Sequence, residues 1–280
     1  MLSLILAAVT ALAPPAFAYD ASQPDVRVAA TTVAGEARVE DLTFASVRGA
    51  GARVHANLVL PAARTGGAVL FVHWLGDDDV TTNLNEFKGD ALVLATKGTA
   101  SLLIDAPWQQ KDWFDKIRSP QTDYADSIDV VKNLRRALDV LIARGGADPA
   151  KVAFVGHDFG AMYGAILSGV DPRPQYYAFM AGTTTLSEWF LLGAKPADQA
   201  AYVAQMAPLD PVLYLPLGKA RGYLVQFANH DAYIPSAKAR AFAGAVPEPK
   251  MVTYYDVDHS MRLPAATSDR LTWLETRVAP

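Results

Sequence analysis

The chain of 280 residues contains no cysteine. That excludes a disulfide framework, a thiolate nucleophile and a cysteine-ligated metal site. Positive charge is sparse as well. Lys and Arg number 25 against 29 Asp and Glu, with no basic run or patch in the sequence, so no nucleic-acid partner is expected. No segment reaches the ~20 consecutive apolar residues of a membrane helix. No internal repeat and no linker divides the chain. Half of the residues are apolar, enough for one α/β domain with a large core.

The first eighteen residues stand apart. Residues 2–12 are apolar but too short to span a bilayer, Ala16-Phe17-Ala18 is a small-x-small cleavage pattern, and the chain turns polar at Asp20. This reads as a secretory signal cut after Ala18, which implies a secreted or periplasmic protein. The departure is that no Lys or Arg precedes the apolar stretch. Residues 19–38, rich in Ala, Thr and Pro, read as a loose lead-in to a domain over 39–280.

Within that domain, residues 39–44 and 53–60 predict a hairpin turning at 48–51. Apolar strands are expected at 68–73, 100–104, 151–155, 175–180, 222–227 and 251–255. Helical periodicity covers 83–97, 123–144, 236–244 and 264–278, with Gly98 and Gly145-Gly146 as stops. Strands alternating with helices argue for a mostly parallel sheet covered on both faces. Residues 182–217 break the alternation and are too long for a simple connection. They read as a small cap over the carboxyl ends of the strands.

The most informative stretch is Gly156-His157-Asp158-Phe159-Gly160. It has the pattern of a Gly-x-Ser-x-Gly nucleophile elbow, with aspartate in place of serine. An apolar run, 152–155, precedes it and a small-residue helix pattern follows, the strand–turn–helix context this motif needs. The two glycines allow a tight turn and a close approach of helix to strand. Such a site needs an acid and then a histidine later in the chain. Asp231, after the strand at 222–227, and His259, after the strand at 251–255, stand in that order. Both lie beyond strand carboxyl ends, where such sheets bind ligands. Asp256 and Asp258 are rivals for the acid role, but they sit too near His259 in sequence for an easy relay. His157 reads as support for the elbow, His55 and His230 as structural or surface residues, and Asp77-Asp78-Asp79 as a solvated loop. No metal site and no cofactor are expected.

Together, the run 70–76 (Leu-Phe-Val-His-Trp-Leu-Gly), the Gly-His-Asp-Phe-Gly elbow, Asp231 and His259 resemble the α/β-hydrolase superfamily, over roughly residues 40–278. The layout of the front half resembles dienelactone hydrolases. The elbow resembles epoxide hydrolases and haloalkane dehalogenases, whose nucleophile is aspartate. The resemblance implies an α/β-hydrolase fold with a short cap, Asp158 as nucleophile, His259 as base and Asp231 as its orienting acid. It also implies an oxyanion hole from the backbone N–H of Phe159 with that of Trp74 or Leu75. Trp108, Trp189, Tyr202 and Tyr214 are candidates for the substrate pocket, with Trp113 beside them. The chain departs from those families in carrying His73-Trp74-Leu75-Gly76 where they carry His-Gly-x-Pro. It has Phe159 where dehalogenases carry Trp or Arg after the nucleophile.

Aspartate decides the chemistry. Its carboxyl group is ionised at neutral pH and needs no base in order to attack. At an acyl carbon it makes a poor nucleophile, because the tetrahedral intermediate expels carboxylate more readily than alkoxide. At a saturated carbon bearing halide or epoxide oxygen, displacement gives an alkyl–aspartyl ester, which water activated by His259 then hydrolyses. The expected partner is therefore a small-molecule substrate with an epoxide or a carbon–halogen bond. The alternatives are a dienelactone-type esterase in which Asp158 has another role, and a degenerate hydrolase that only binds a small molecule or a partner.

Overall fold

Nine strands form one sheet in the computed structural model, which describes residues 10–21, 24–49, 51–63, 66–76 and 83–280. The apolar start at 2–9 and the acidic run Asp77-Asp78-Asp79 therefore lie outside the described residues. The strands are β1 (Arg27–Ala34), β2 (Ala37–Ala45), β3 (Arg53–Leu60), β4 (Ala68–Val72), β5 (Ala100–Ile104), β6 (Val152–His157), β7 (Tyr176–Met180), β8 (Gly222–Ala228) and β9 (Lys250–Tyr255). Their order is β1-β2-β3-β5-β4-β6-β7-β8-β9. The pairs from β1 to β5 are antiparallel, and those from β5 through β4 to β9 are parallel. The order reverses around β4. Its neighbour β6 therefore delivers the elbow at a topological switch point, where the loops diverge and leave a crevice.

Every residue of β4, β5 and β6 is buried, as expected of parallel strands covered on both faces. The covering helices are α1 (Lys88–Thr96), α2 (Asp123–Gly145), α3 (Phe159–Val170), α7 (Ser236–Ala245) and α8 (Pro264–Val278). Three short helices, α4 (Leu186–Phe190), α5 (Gln199–Met206) and α6 (Pro211–Tyr214), occupy the predicted insertion. α2 and α3 are pinned by the buried hydroxyl pair Ser127–Tyr163 at 3.0 Å. α1 and α8 are pinned by Arg270 and Asp90 at 2.6 Å. α2 carries Asp123 and Asp126 in its first turn and stops at Gly146, whose φ of 63° only glycine adopts without strain.

Two expectations need correction. Residues 19–38 are not loose throughout, since β1 pairs with β2 along nearly its whole length around the two-residue turn at Gly35 and Glu36. The signal was weak because β1 is almost wholly exposed. Its backbone ladder, rather than any buried face, holds it. The helix expected over 83–97 is broken into a 3-10 turn at Asn83–Asn85 and α1. Phe87 leaves helical geometry to stack on Phe71, ring centroids 5.0 Å apart, and Glu86 turns inward with it.

The end of the predicted signal is packed in this structure. Phe17 is fully buried with its ring edge-on to Tyr214, and the Phe17 carbonyl accepts from Arg135 at 2.6 Å.

Candidate active site

β6 ends at His157, and the chain turns at Asp158 with φ 54° and ψ −115° before α3 begins. A non-glycine residue held there is strained, and the surrounding packing must impose it. Both flanking glycines are required for that packing. A Cβ on Gly156 would stand 2.3 Å from the Gly160 carbonyl oxygen, and one on Gly160 would stand 2.3 Å from that of Val72. The elbow is thus wedged between α3 and β4 with no room for a methyl group.

Asp158 is 1% exposed and His259 6%. Asp158 Oδ2 accepts from the Leu75 N–H at 3.0 Å, and the Phe159 N–H lies near enough to this carboxylate to lower its pKa slightly. Oδ1 has no hydrogen-bond partner among the described residues and lies 3.9 Å from His259 Nε2, which has none either. On the far side of the ring, His259 Nδ1 donates to Asp231 Oδ2 at 2.8 Å. Asp231 Oδ1 accepts the N–H groups of Tyr233 and Ile234, both at 2.9 Å, so this carboxylate is itself held in place. The rivals are placed elsewhere. Asp256 pairs with His230 in solvent, and Asp258 bonds Ser260.

Burial pushes the Asp158 carboxyl up to about 6, against the lowering effect of His259 and the two N–H groups. Burial disfavours a charged His259, yet its bond to Asp231 and the charges of Asp158 and Asp231 hold its pKa above the usual value. Burial likewise works against ionised Asp231, but the His259 contacts and the two backbone N–H groups bring it below the ordinary carboxylate range. With Asp231 ionised and Nδ1 donating, a neutral His259 carries its lone pair on Nε2, facing Asp158.

The sequence candidates separate on this geometry. Asp158, Asp231, His259, Leu75 and Phe159 come together. Trp189 joins them, its ring 5.4 Å from His259 and 6.2 Å from Phe159. Trp108 stands behind Phe159, with ring centroids 5.3 Å apart, and donates its indole N–H to the His73 carbonyl at 3.1 Å. Trp113 meets Phe159 edge-on at 5.8 Å.

One expectation is narrowed and two are corrected. The Trp74 N–H is spent on Glu86 Oε2 at 2.7 Å, so Leu75 and not Trp74 faces the carboxylate. Tyr202 gives its hydroxyl to Asp123 at 2.6 Å, in a buried cluster with Arg118. Tyr214 packs on Phe17 and Gly169, and its hydroxyl accepts from Leu12 N–H and donates to the Pro208 carbonyl. Neither tyrosine is offered to a substrate at Asp158, because each hydroxyl is committed to the insertion's anchorage.

Two residues at the site escaped the sequence reading. Tyr233 is 59% exposed, with its ring edge-on to His259 at 5.2 Å, and an aromatic residue two positions after the acid was the available hint. Glu86 was hidden in an apparently regular helix. It bonds both the Trp74 N–H and His157 Nδ1. Among the described residues no cluster of His, Asp or Glu is placed to hold a metal ion, and no helix is long and apolar enough to cross a membrane.

No protein-family profile matches the chain. No curated protein matches its sequence. Solved structures do. An acetyl xylan esterase from Paenibacillus sp. R4 aligns with TM-score 0.71 and 19% identity over 90% of this chain and 89% of that one. Acetyl xylan esterase 1 from Thermoanaerobacterium sp. JW/SL YS485 aligns with TM-score 0.72 and 15% identity over 94% and 91%. An S-formylglutathione hydrolase from Agrobacterium tumefaciens aligns with TM-score 0.64 and 12% identity over 90% and 99%. Across most of its length, therefore, this chain has the α/β-hydrolase fold.

Proposed function

We propose that the chain is a hydrolase of the α/β class that works through a covalent ester on Asp158, formed by displacement at a saturated carbon bearing halide or epoxide oxygen. The observation that carries this reading is the unequal treatment of the two Asp158 oxygens. Oδ2 accepts the Leu75 N–H at 3.0 Å, while Oδ1 is unpartnered and faces the base. An oxyanion hole awaiting an ester carbonyl would be vacant, but here the nucleophile's own oxygen takes its donor.

In the first step an Oδ1 lone pair forms the bond to carbon, and the carbon–halogen or carbon–oxygen bond breaks with its electron pair. Halide leaves, or the opened epoxide oxygen takes up a proton from solvent. In the second step His259 Nε2 takes a proton from water, and the oxygen attacks Cγ of Asp158. Negative charge then develops on Oδ2, where the Leu75 N–H already donates and the Phe159 N–H is the second donor of this reading. Collapse breaks the Cγ–Oδ1 bond and expels the alkoxide, which takes the proton from His259. Asp158 is left as a carboxylic acid carrying one oxygen from water and releases its proton to solvent, which restores the carboxylate. Trp189, Phe159 and Tyr233 make the surroundings of His259 aromatic, which suits an apolar carbon skeleton.

A second reading, hydrolysis of small esters or lactones, is favoured by the structural neighbours, several of which are esterases. One experiment separates the two. His259→Gln, incubated with pooled epoxides, haloalkanes and activated esters, should gain a substrate-derived mass that maps to Asp158. The wild type in a single turnover in 18O-water should place the label in Asp158 and not in the product. Ester turnover with no adduct, improved by Asp158→Ser, would replace the displacement reading with the esterase one. Export is part of the proposal: a processed chain would begin at Tyr19, as the N-terminal mass of protein recovered from the periplasm or medium would report.

A further inference from the structure

We propose that Glu86 is the positioning residue of this site, one carboxylate that sets the oxyanion loop, the elbow and the base relative to one another. Glu86 Oε2 accepts the Trp74 N–H at 2.7 Å, and the next N–H along, that of Leu75, bonds Asp158 Oδ2. Glu86 Oε1 lies 2.6 Å from His157 Nδ1, and His157 immediately precedes Asp158. The other nitrogen of that ring, Nε2, lies 3.0 Å from the backbone carbonyl oxygen of His259. Three segments that are remote in sequence, each supplying one component of the site, are thus linked through Glu86 and the His157 ring bonded to it. The His157 ring lies flat on Trp74, with centroids 5.3 Å apart and planes 7° from parallel, so its orientation is set by stacking as well.

The proton count follows from the partners. A carbonyl oxygen only accepts, so His157 Nε2 carries a hydrogen and donates it to His259. The short Nδ1–Oε1 contact then holds one proton between ring and carboxylate. Glu86 is 89% buried by side-chain exposure and spends an oxygen on each neighbour. A carboxylate this far out of water is costly unless its bonds are made, which gives both links a strong hold on the geometry.

The kinetic part of the test rests on the Asp158 ester reading; the spectroscopic part does not. Alkylation of Asp158 needs its free oxygen, whereas hydrolysis of the ester also needs the Leu75 N–H and the His259 lone pair. On a substrate that labels His259→Gln, Glu86→Ala should lose far less rate in forming the adduct than in hydrolysing it. It should hydrolyse the adduct about a hundredfold more slowly, the penalty for misplacing catalytic groups by an ångström or so, so that labelled enzyme accumulates at steady state. Glu86→Gln should rescue hydrolysis. Its amide oxygen can accept from Trp74, and its NH2 can donate to a neutral His157 that still holds the His259 carbonyl.

Independently of any substrate, NMR of protein carrying 15N-histidine should show the downfield ring N–H of His259 on Asp231, identified by its loss in His259→Gln. That resonance should broaden or vanish in Glu86→Ala and persist in Glu86→Gln. If Glu86→Ala does not fold, Glu86→Asp, which pulls the carboxylate back from His157, is read in the same way. A folded Glu86→Ala with the His259 resonance intact and hydrolysis unchanged would overturn the proposal. If nothing labels His259→Gln, the ester reading fails by itself and the resonance decides: its loss in Glu86→Ala sustains the positioning role, and its persistence overturns it.

Discussion

Asp158 and His259 turn toward each other the two site atoms left without a hydrogen-bond partner among the described residues, Oδ1 and Nε2, 3.9 Å apart. That separation is too long for a hydrogen bond and short enough for each charge to act on the other's pKa. It leaves the carboxylate oxygen free to attack carbon and the ring nitrogen free to take a proton from water. All the other polar atoms of this pair are committed: Oδ2 to Leu75, and Nδ1 to Asp231.

The two pKa shifts make the chemical steps respond to pH in a defined way. In the proposed reaction Asp158 attacks as the carboxylate, so the alkylation rate should fall as pH drops through about 6, the raised Asp158 value. His259→Gln removes a cation that lowers that pKa, so the midpoint should move up in the variant. Quenched-flow mass spectrometry of adduct formation against pH, in wild type and variant, measures both. A profile flat through this range would remove Asp158 from the nucleophile's role.

Gly160→Ala should be severely damaging. The added methyl would stand 2.3 Å from the Val72 carbonyl oxygen and 3.2 Å from that of His73. Both are backbone atoms of the strand and loop that lead to the Leu75 N–H, so neither can step aside cheaply. A loss of about 3 kcal/mol is expected, at the upper end for overpacking. The shift of the urea unfolding midpoint measures it, and a shift near zero would show that the elbow is less tightly wedged than its contacts imply.

Arg118 and Asp123 tie the insertion to the body of the domain. Their side chains, each 1% exposed, meet at 2.5 Å, and Asp123 Oδ2 also accepts the Tyr202 hydroxyl. Arg118 further donates to the carbonyls of Phe190 and Ala194. Arg118→Ala leaves a buried carboxylate without its cation and should cost about 3–5 kcal/mol. Arg118→Met combined with Asp123→Leu should recover much of that, because no charge is then stranded. Equilibrium unfolding of the three proteins tests this, and a double variant no more stable than Arg118→Ala would contradict it.

His55 should make stability fall on the alkaline side. Its bond to Asp105, and then the bond to Asp41 and the charges of both, raise its pKa from 6.5 to about 9. A raised pKa means that the folded state holds the proton more tightly. This contribution is complete below about pH 6.5 and is lost as pH rises through about 9. The difference in unfolding midpoint between wild type and His55→Asn should therefore shrink over that interval. A constant difference would mean that the His55 contribution is not tied to its charge.

Local patterns reveal much of this molecule. The elbow was legible because Gly156, Asp158 and Gly160 are specified by short-range sterics, and the strand and helix around them show in apolar runs. Asp231 and His259 were legible from their positions after strands. β1 was not, because an exposed edge strand leaves no buried face in the sequence. Tyr202 and Tyr214 were misplaced for a different reason: an aromatic side chain looks the same in sequence whether its hydroxyl meets a substrate or anchors a helix.

By itself, then, the sequence determined the fold class, the order of the catalytic candidates and the presence of a carboxylate at the elbow, all consequences of periodicity and of residue chemistry. Only the tertiary structure decided which backbone N–H faces that carboxylate, which of its oxygens is free, and that Glu86 reaches His157 across 71 residues. Those outcomes depend on which polar groups compete for the same partners once burial has removed water, and that competition exists only after the chain has closed.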